Sequence, residues 1–178
     1  MNPTTVARSL FLALAVGLAL VLQTSVLPHL AWHGVGPDVV LVVVVAAGLA
    51  RGAHVGMVLG FGAGLLLDLA PPADHVAGRW ALALMLVGYV AGRVRQDAPA
   101  GVAGSLAAVA ACSFLGTSVF ALTGLVLQDQ AATVPELLQV VLVGVVWDLA
   151  LAPFVLPSVA WVLTRLQPEG LRPAPVAR

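Results

Sequence analysis

The stretch GAHVGMVLGFGAGLLLD, Gly52–Asp68, places glycine at four-residue steps, Gly52, Gly56, Gly60 and Gly64, and the next step lands on Asp68. In a helix that spacing puts all five residues on one face. A glycine face lets a second backbone come close, which is how helices associate in lipid, where no hydrophobic drive acts between them. The Asp68 carboxylate shares that face, so it is expected to turn toward protein and away from lipid tails. The same step recurs late in the chain at Gly144, Asp148 and Ala152, and the strings from Gly64 to Ala70 and from Gly144 to Ala150 both read G-x-x-x-D-L-A. Such a match suggests an inverted repeat of two three-helix halves, but the first and fourth apolar segments do not align at that offset.

Composition sets the environment of these helices. The chain has 178 residues, 61% hydrophobic and only 9% charged, with a mean hydropathy of +1.05. A soluble domain carries about 25% charged residues, so too little polar surface exists here to dissolve the fold. Net charge is formally zero and lysine is absent. No basic face is available for nucleic acid and no acidic one for a basic partner. Cys112 is the single cysteine, which excludes an intrachain disulfide and a thiolate-rich metal site. Arg8 ahead of an apolar run resembles a secretory signal, but the run is too long and lacks a small-residue cleavage site, so it reads as a retained first helix.

A helix needs roughly 20 residues to cross the hydrocarbon core. Six segments compete for that role, at 9–27, 38–50, 55–70, 80–92, 100–127 and 137–164, all within a single transmembrane domain spanning 1–166. The fold class is therefore an all-α polytopic membrane bundle with six crossings. Segments two to four are short, and two and three admit a re-entrant hairpin instead. That alternative puts Arg51 at membrane depth, at a cost of roughly 2.5 to 3.5 kcal/mol. Arg8, Arg51, Arg93, Arg95, Arg165, Arg172 and Arg178 all fall on one side of six crossings, and Arg79 alone falls on the other. The positive-inside rule then places both termini in the cytoplasm. Residues 167–178 read as a disordered cytoplasmic tail.

Few residues are placed for chemistry. An aspartate in the hydrocarbon is by default a candidate for proton relay, cation binding or a helix contact. Asp68 lies just before Pro71, near the outer interface, whereas Asp148 lies deep in the last segment, roughly 15 Å away in depth at helical rise. Separate hydrogen-bonded packing anchors are expected, not a shared carboxylate pair. Arg79 is the expected outer-surface partner of Asp68 or Asp74. His29 and His33 stand four apart, but Trp32 between them and the absence of a third ligand make a short interfacial segment the better reading than a metal site. Trp80, Trp147 and Trp161 read as packing or helix-end aromatics. Without lysine there is no Walker-type phosphate site and no Schiff base. No serine sits in a nucleophile elbow, and the glycines at 60, 62 and 64 lack dinucleotide-loop spacing. No catalysis, cofactor or metal is expected.

The segment Gly60–Gly92 contains Gly-Leu-Leu-Leu ending at Asp68, the Pro71-Pro72 loop, Gly78-Arg79-Trp80-Ala81-Leu82, and Val87-Gly88-Tyr89-Val90-Ala91-Gly92. Together with Leu22-Gln23-Thr24-Ser25 and Pro28, with Gly36-Pro37-Asp38, and with Trp147-Asp148-Leu149 through Ala152-Pro153-Phe154, it resembles the rod-shape-determining MreD family over about residues 8 to 165. Each motif is short, and their ordered set carries the resemblance. It implies a non-catalytic scaffold of the bacterial elongation machinery in the cytoplasmic membrane. It also implies partnership with an MreC-like bitopic protein and, indirectly, with MreB, RodA and a penicillin-binding transpeptidase. Gly56, Gly60, Gly64, Asp68, Arg79, Gly88, Gly92, Gly144 and Asp148 become the candidates for helix packing or partner binding. Membrane lipid is a further partner by composition, and the small-residue faces leave a homodimer open. The same resemblance implies a fold similar to the substrate-binding subunits of energy-coupling-factor transporters, which keeps small-solute binding as an alternative function.

Overall fold

A computed structural model describes residues 3–32, 34–71, 76–97, 101–128 and 133–166. They form an all-helical membrane bundle: α1 Pro3–Ser25, α2 Val39–Arg51, α3 Ala53–Leu69, α4 Arg79–Asp97, α5 Val102–Val126 and α6 Val134–Arg165, with one 3-10 turn at Leu27–Leu30. Helices α1, α5 and α6 are long and apolar enough to cross a membrane, and α2 and α3 are shorter apolar helices. His33, Asp74, Arg172, Arg178 and the tail expected at 167–178 lie outside the described residues.

Helix α2 is the core. The nine consecutive residues from Val40 to Gly48 are all buried, and α2 touches α1, α3, α4, α5 and α6. A helix apolar on every side belongs inside protein or lipid. Its valine run favours strand by propensity, but surrounding helices offer no edge to pair with, so the helix satisfies its own backbone. Asp38 starts it, with the side chain accepting from Leu41 N at 2.8 Å. Gly52 ends it at φ +90°, a left-handed value that glycine adopts without strain, and α3 begins at the very next residue. The first glycine of the four-step series is therefore a reversal point and not part of the packing face.

The other three glycines close a seam between α3 and α4. A methyl group added at Gly56 would strike the Gly88 carbonyl, one at Gly60 the Leu84 carbonyl, and one at Gly64 the Trp80 carbonyl and Ala81. Every step of four along α3 answers a step of four back along α4, so the two helices run antiparallel in backbone contact. Gly92 completes the seam against Ala53, and Gly48 of α2 approaches the same Gly88 carbonyl, where an added methyl would sit 2.9 Å away. Gly144, expected on a packing face, meets only the Thr117 methyl at 3.6 Å. Its helix stands off from α5 there, and the space between them is a cavity, so it differs from the seam glycines.

Charge separates along the bundle. The Arg8 Nε donates to the Leu166 carbonyl at 3.0 Å, joining the start of α1 to the end of α6, and Arg8 and Arg95 both act electrostatically on Arg51. One end thus gathers arginines from four helix ends. Helix α4 runs on through Arg93 and Arg95 to Asp97, beyond the expected stop at 92, because cations in a last turn suit the helix dipole.

Leucine at Gly60 should force α3 and α4 apart, lowering stability by about 2 kcal/mol or more. Alanine at the exposed Gly62, which has nothing within 4 Å, should be neutral or slightly stabilising. Thermal unfolding in detergent compares them, and equal midpoints for the two variants would refute the seam.

Candidate functional site

The end of the bundle opposite the arginines is built by two aspartates. Asp68, the last buried residue of α3 at 2% exposure, accepts from Gly78 N at 2.8 Å, Trp80 N at 3.1 Å and Ala81 N at 3.1 Å. Those amides open α4 and have no partner within their own helix. The carboxylate also meets the positive end of the α4 dipole. Asp68 thus locks the glycine seam at one end, as its place on the small-residue face implied.

Asp148 does the same for α2. It is fully buried, and its Oδ1 accepts from Asp38 N at 2.9 Å while its Oδ2 accepts from Ser113 Oγ at 2.6 Å. Beside it Gln23 Oε1 accepts from Val40 N at 3.0 Å. Four segments, α1, α2, α5 and α6, therefore meet at the start of α2. Asp68 and Asp148 are separate anchors, as their depths implied. Asp148 does have a carboxylate neighbour, however, in Asp38, which sequence spacing marked only as a helix start. Asp38 is 8% exposed, and its Oδ2 has no hydrogen-bond partner among the described residues.

Arg79 is drawn inward. It is 5% exposed, its Nη2 donates to the Phe120 carbonyl at 2.7 Å, and its guanidinium carbon lies 4.0 Å from the Phe120 ring centroid. Trp80 stacks on the same ring at 4.3 Å. Gly124 makes room for the guanidinium, since any side chain there would collide with it. Arg79 is thus a tie from α4 to α5.

Between these groups lies a cavity of about 450 Å³, within the range of small-molecule sites. Gln23, Asp38, Arg79, Thr117, Glu136 and Asp148 supply its polar lining, and Leu27, Val35, Trp80, Phe120, Leu137 and Val140 much of the rest. Ser113, Thr117 and Phe120 were not singled out by sequence reasoning. The available signal was Ser113 and Thr117 four residues apart, two of the five hydroxyl residues on α5. Among the described residues no group of three or more His, Cys, Asp and Glu could hold a metal. His29 sits in the 3-10 turn with Nδ1 3.1 Å from the Val26 carbonyl. Cys112 is a buried free thiol. Trp161 is exposed, with Arg165 over its ring at 5.0 Å. Trp147 carries a buried indole N–H with no hydrogen-bond partner among the described residues.

The chain matches no protein family, no curated protein and no solved structure.

Asp68→Leu should orphan three amides and cost at least about 2 kcal/mol, visible as a lower melting temperature and a lower yield of folded protein. Unchanged stability would defeat the capping role. Asp148→Leu strands Asp38 N and Ser113 Oγ and should cost about 3 kcal/mol, whereas Ser113→Ala should cost about 1 kcal/mol. A reversed order, read by thermal unfolding of the same preparations, would contradict the geometry.

Proposed function

We propose that the chain is a non-catalytic integral membrane scaffold of the bacterial cell-elongation complex. In this reading it binds an MreC-like bitopic protein and, through it, the MreB filament, RodA and a penicillin-binding transpeptidase. It lies in the cytoplasmic membrane with both termini in the cytoplasm.

The observation that supports this reading is where the ordered motif residues fall. Gly60, Gly64, Asp68, Gly88 and Gly92 form and lock the α3–α4 seam. Gln23, Asp38 and Asp148 tie α1, α2 and α6 together. A motif set devoted to bracing helices suits a molecule whose product is a rigid shape in the membrane. The connections between described helices are short, so binding work falls to helix faces. Helix α1 offers one, with Leu10, Leu14, Leu18 and Val21 exposed at helical spacing, on which a single partner helix could lie as in other membrane helix pairs. The arginine-rich end suits the cytoplasmic side.

Co-expression with an MreC-like bitopic protein should give a complex that survives detergent extraction and size-exclusion chromatography. Arginine at Leu14 should disrupt it while leaving the isolated chain folded. Failure to co-purify, with both proteins folded, would overturn the reading.

A further inference from the structure

We propose that the cavity at the acidic end binds an organic ammonium group carried on a compact apolar body. The site has the volume for such a ligand, about 450 Å³, and walls that suit an apolar body, from Leu27, Trp80, Phe120 and Val140 among others. Its polar side is built for a donor. Asp38 is more than nine-tenths buried, lines the cavity, and has one oxygen bonded to Leu41 N and the other bonded to nothing among the described residues. A buried carboxylate oxygen without a partner is costly, and an ammonium carries three donors and the opposite charge. Gln23 Oε1 and Thr117 Oγ1 each make one bond already and can accept another.

Charge excludes the alternatives. Three carboxyl side chains, Asp38, Asp148 and Glu136, share the lining with one guanidinium, that of Arg79. Arg79 points its Nη2 at the Phe120 carbonyl and lies on the Phe120 ring. An anionic ligand would meet like charge at Asp38, and a neutral one would forgo the charge-assisted bond. The ammonium is the shared chemistry of two sources: a free amine brings it on an apolar body, and an ethanolamine headgroup of the bilayer brings it on a phosphodiester. The proposal stands apart from the scaffold reading, because partner capture and amine binding are read in separate assays.

The test uses the full chain in detergent at pH 7.5, with 2-phenylethylamine as probe and 2-phenylethanol as its uncharged counterpart. The amine should raise the melting temperature saturably and the alcohol should not. Asp38→Asn keeps the helix cap, since asparagine caps as well as aspartate, and should weaken the apparent affinity about tenfold or more. Gly144→Leu projects into the cavity from a position with room for the first carbon. It should abolish the shift while the unliganded protein stays folded. In nanodiscs, exchange of phosphatidylethanolamine for phosphatidylglycerol should lower the wild-type melting temperature, and not that of Asp38→Asn, if the headgroup is the source. A free amine as source leaves that exchange without effect and the phenylethylamine shift intact. Equal shifts from amine and alcohol, an Asp38→Asn variant that responds like wild type, or no response to either amine source would overturn the proposal.

Discussion

Backbone contact between α3 and α4 is the constraint from which the rest of the arrangement follows. Helices in lipid gain nothing by hiding apolar side chains from one another, so they hold together by close packing and polar ties. Gly56, Gly60 and Gly64 bring α3 against the carbonyls of α4, and Gly48 brings α2 to the same Gly88 carbonyl. Three backbones converge at that point, and no side chain fits between them. With α2 fixed against the pair, the longer helices α1, α5 and α6 complete the enclosure of the Val40–Gly48 core.

Polar ties finish what the glycines begin. The two G-x-x-x-D-L-A strings perform matching tasks, each aspartate taking the free amides at the start of another helix, α4 for Asp68 and α2 for Asp148. A carboxylate is expensive in a low-dielectric interior unless its lone pairs are filled. Asp68 accepts at least three bonds, and Asp148 accepts two among the described residues. Asp38 is also buried, with one oxygen left over among the described residues, and that imbalance distinguishes a group that only braces from one with capacity to receive something else.

Much of this was legible beforehand. Four-residue glycine spacing marks the close face of α3 because a helix repeats its faces on nearly that interval, and an aspartate on that face has to point at protein. Arginine placement foretold a basic end because charges at helix ends survive folding unmoved. What stayed hidden depends on tertiary distance. Nothing in the sequence joins Asp38 to Asp148, since 110 residues lie between them. Gly144 shares a spacing with the seam glycines yet lines a cavity, because a step of four fixes which face a residue occupies and not how near the neighbouring helix comes. Arg79 was expected at the surface with an acidic partner. It is buried, with its guanidinium on the Phe120 ring and carbonyl, a contact that needs the gap left by Gly124 on another helix.

The start of α2 is recessed. Asp38 meets α6 at Asp148, fourteen residues past Val134, about 21 Å along that helix. The thirteen residues of α2 rise about 20 Å, short of the roughly 30 Å of hydrocarbon that a full crossing needs. Because α2 is enclosed by the other helices, that shortfall is not presented to lipid, and α1, α5 and α6 set the hydrophobic thickness the bilayer has to match.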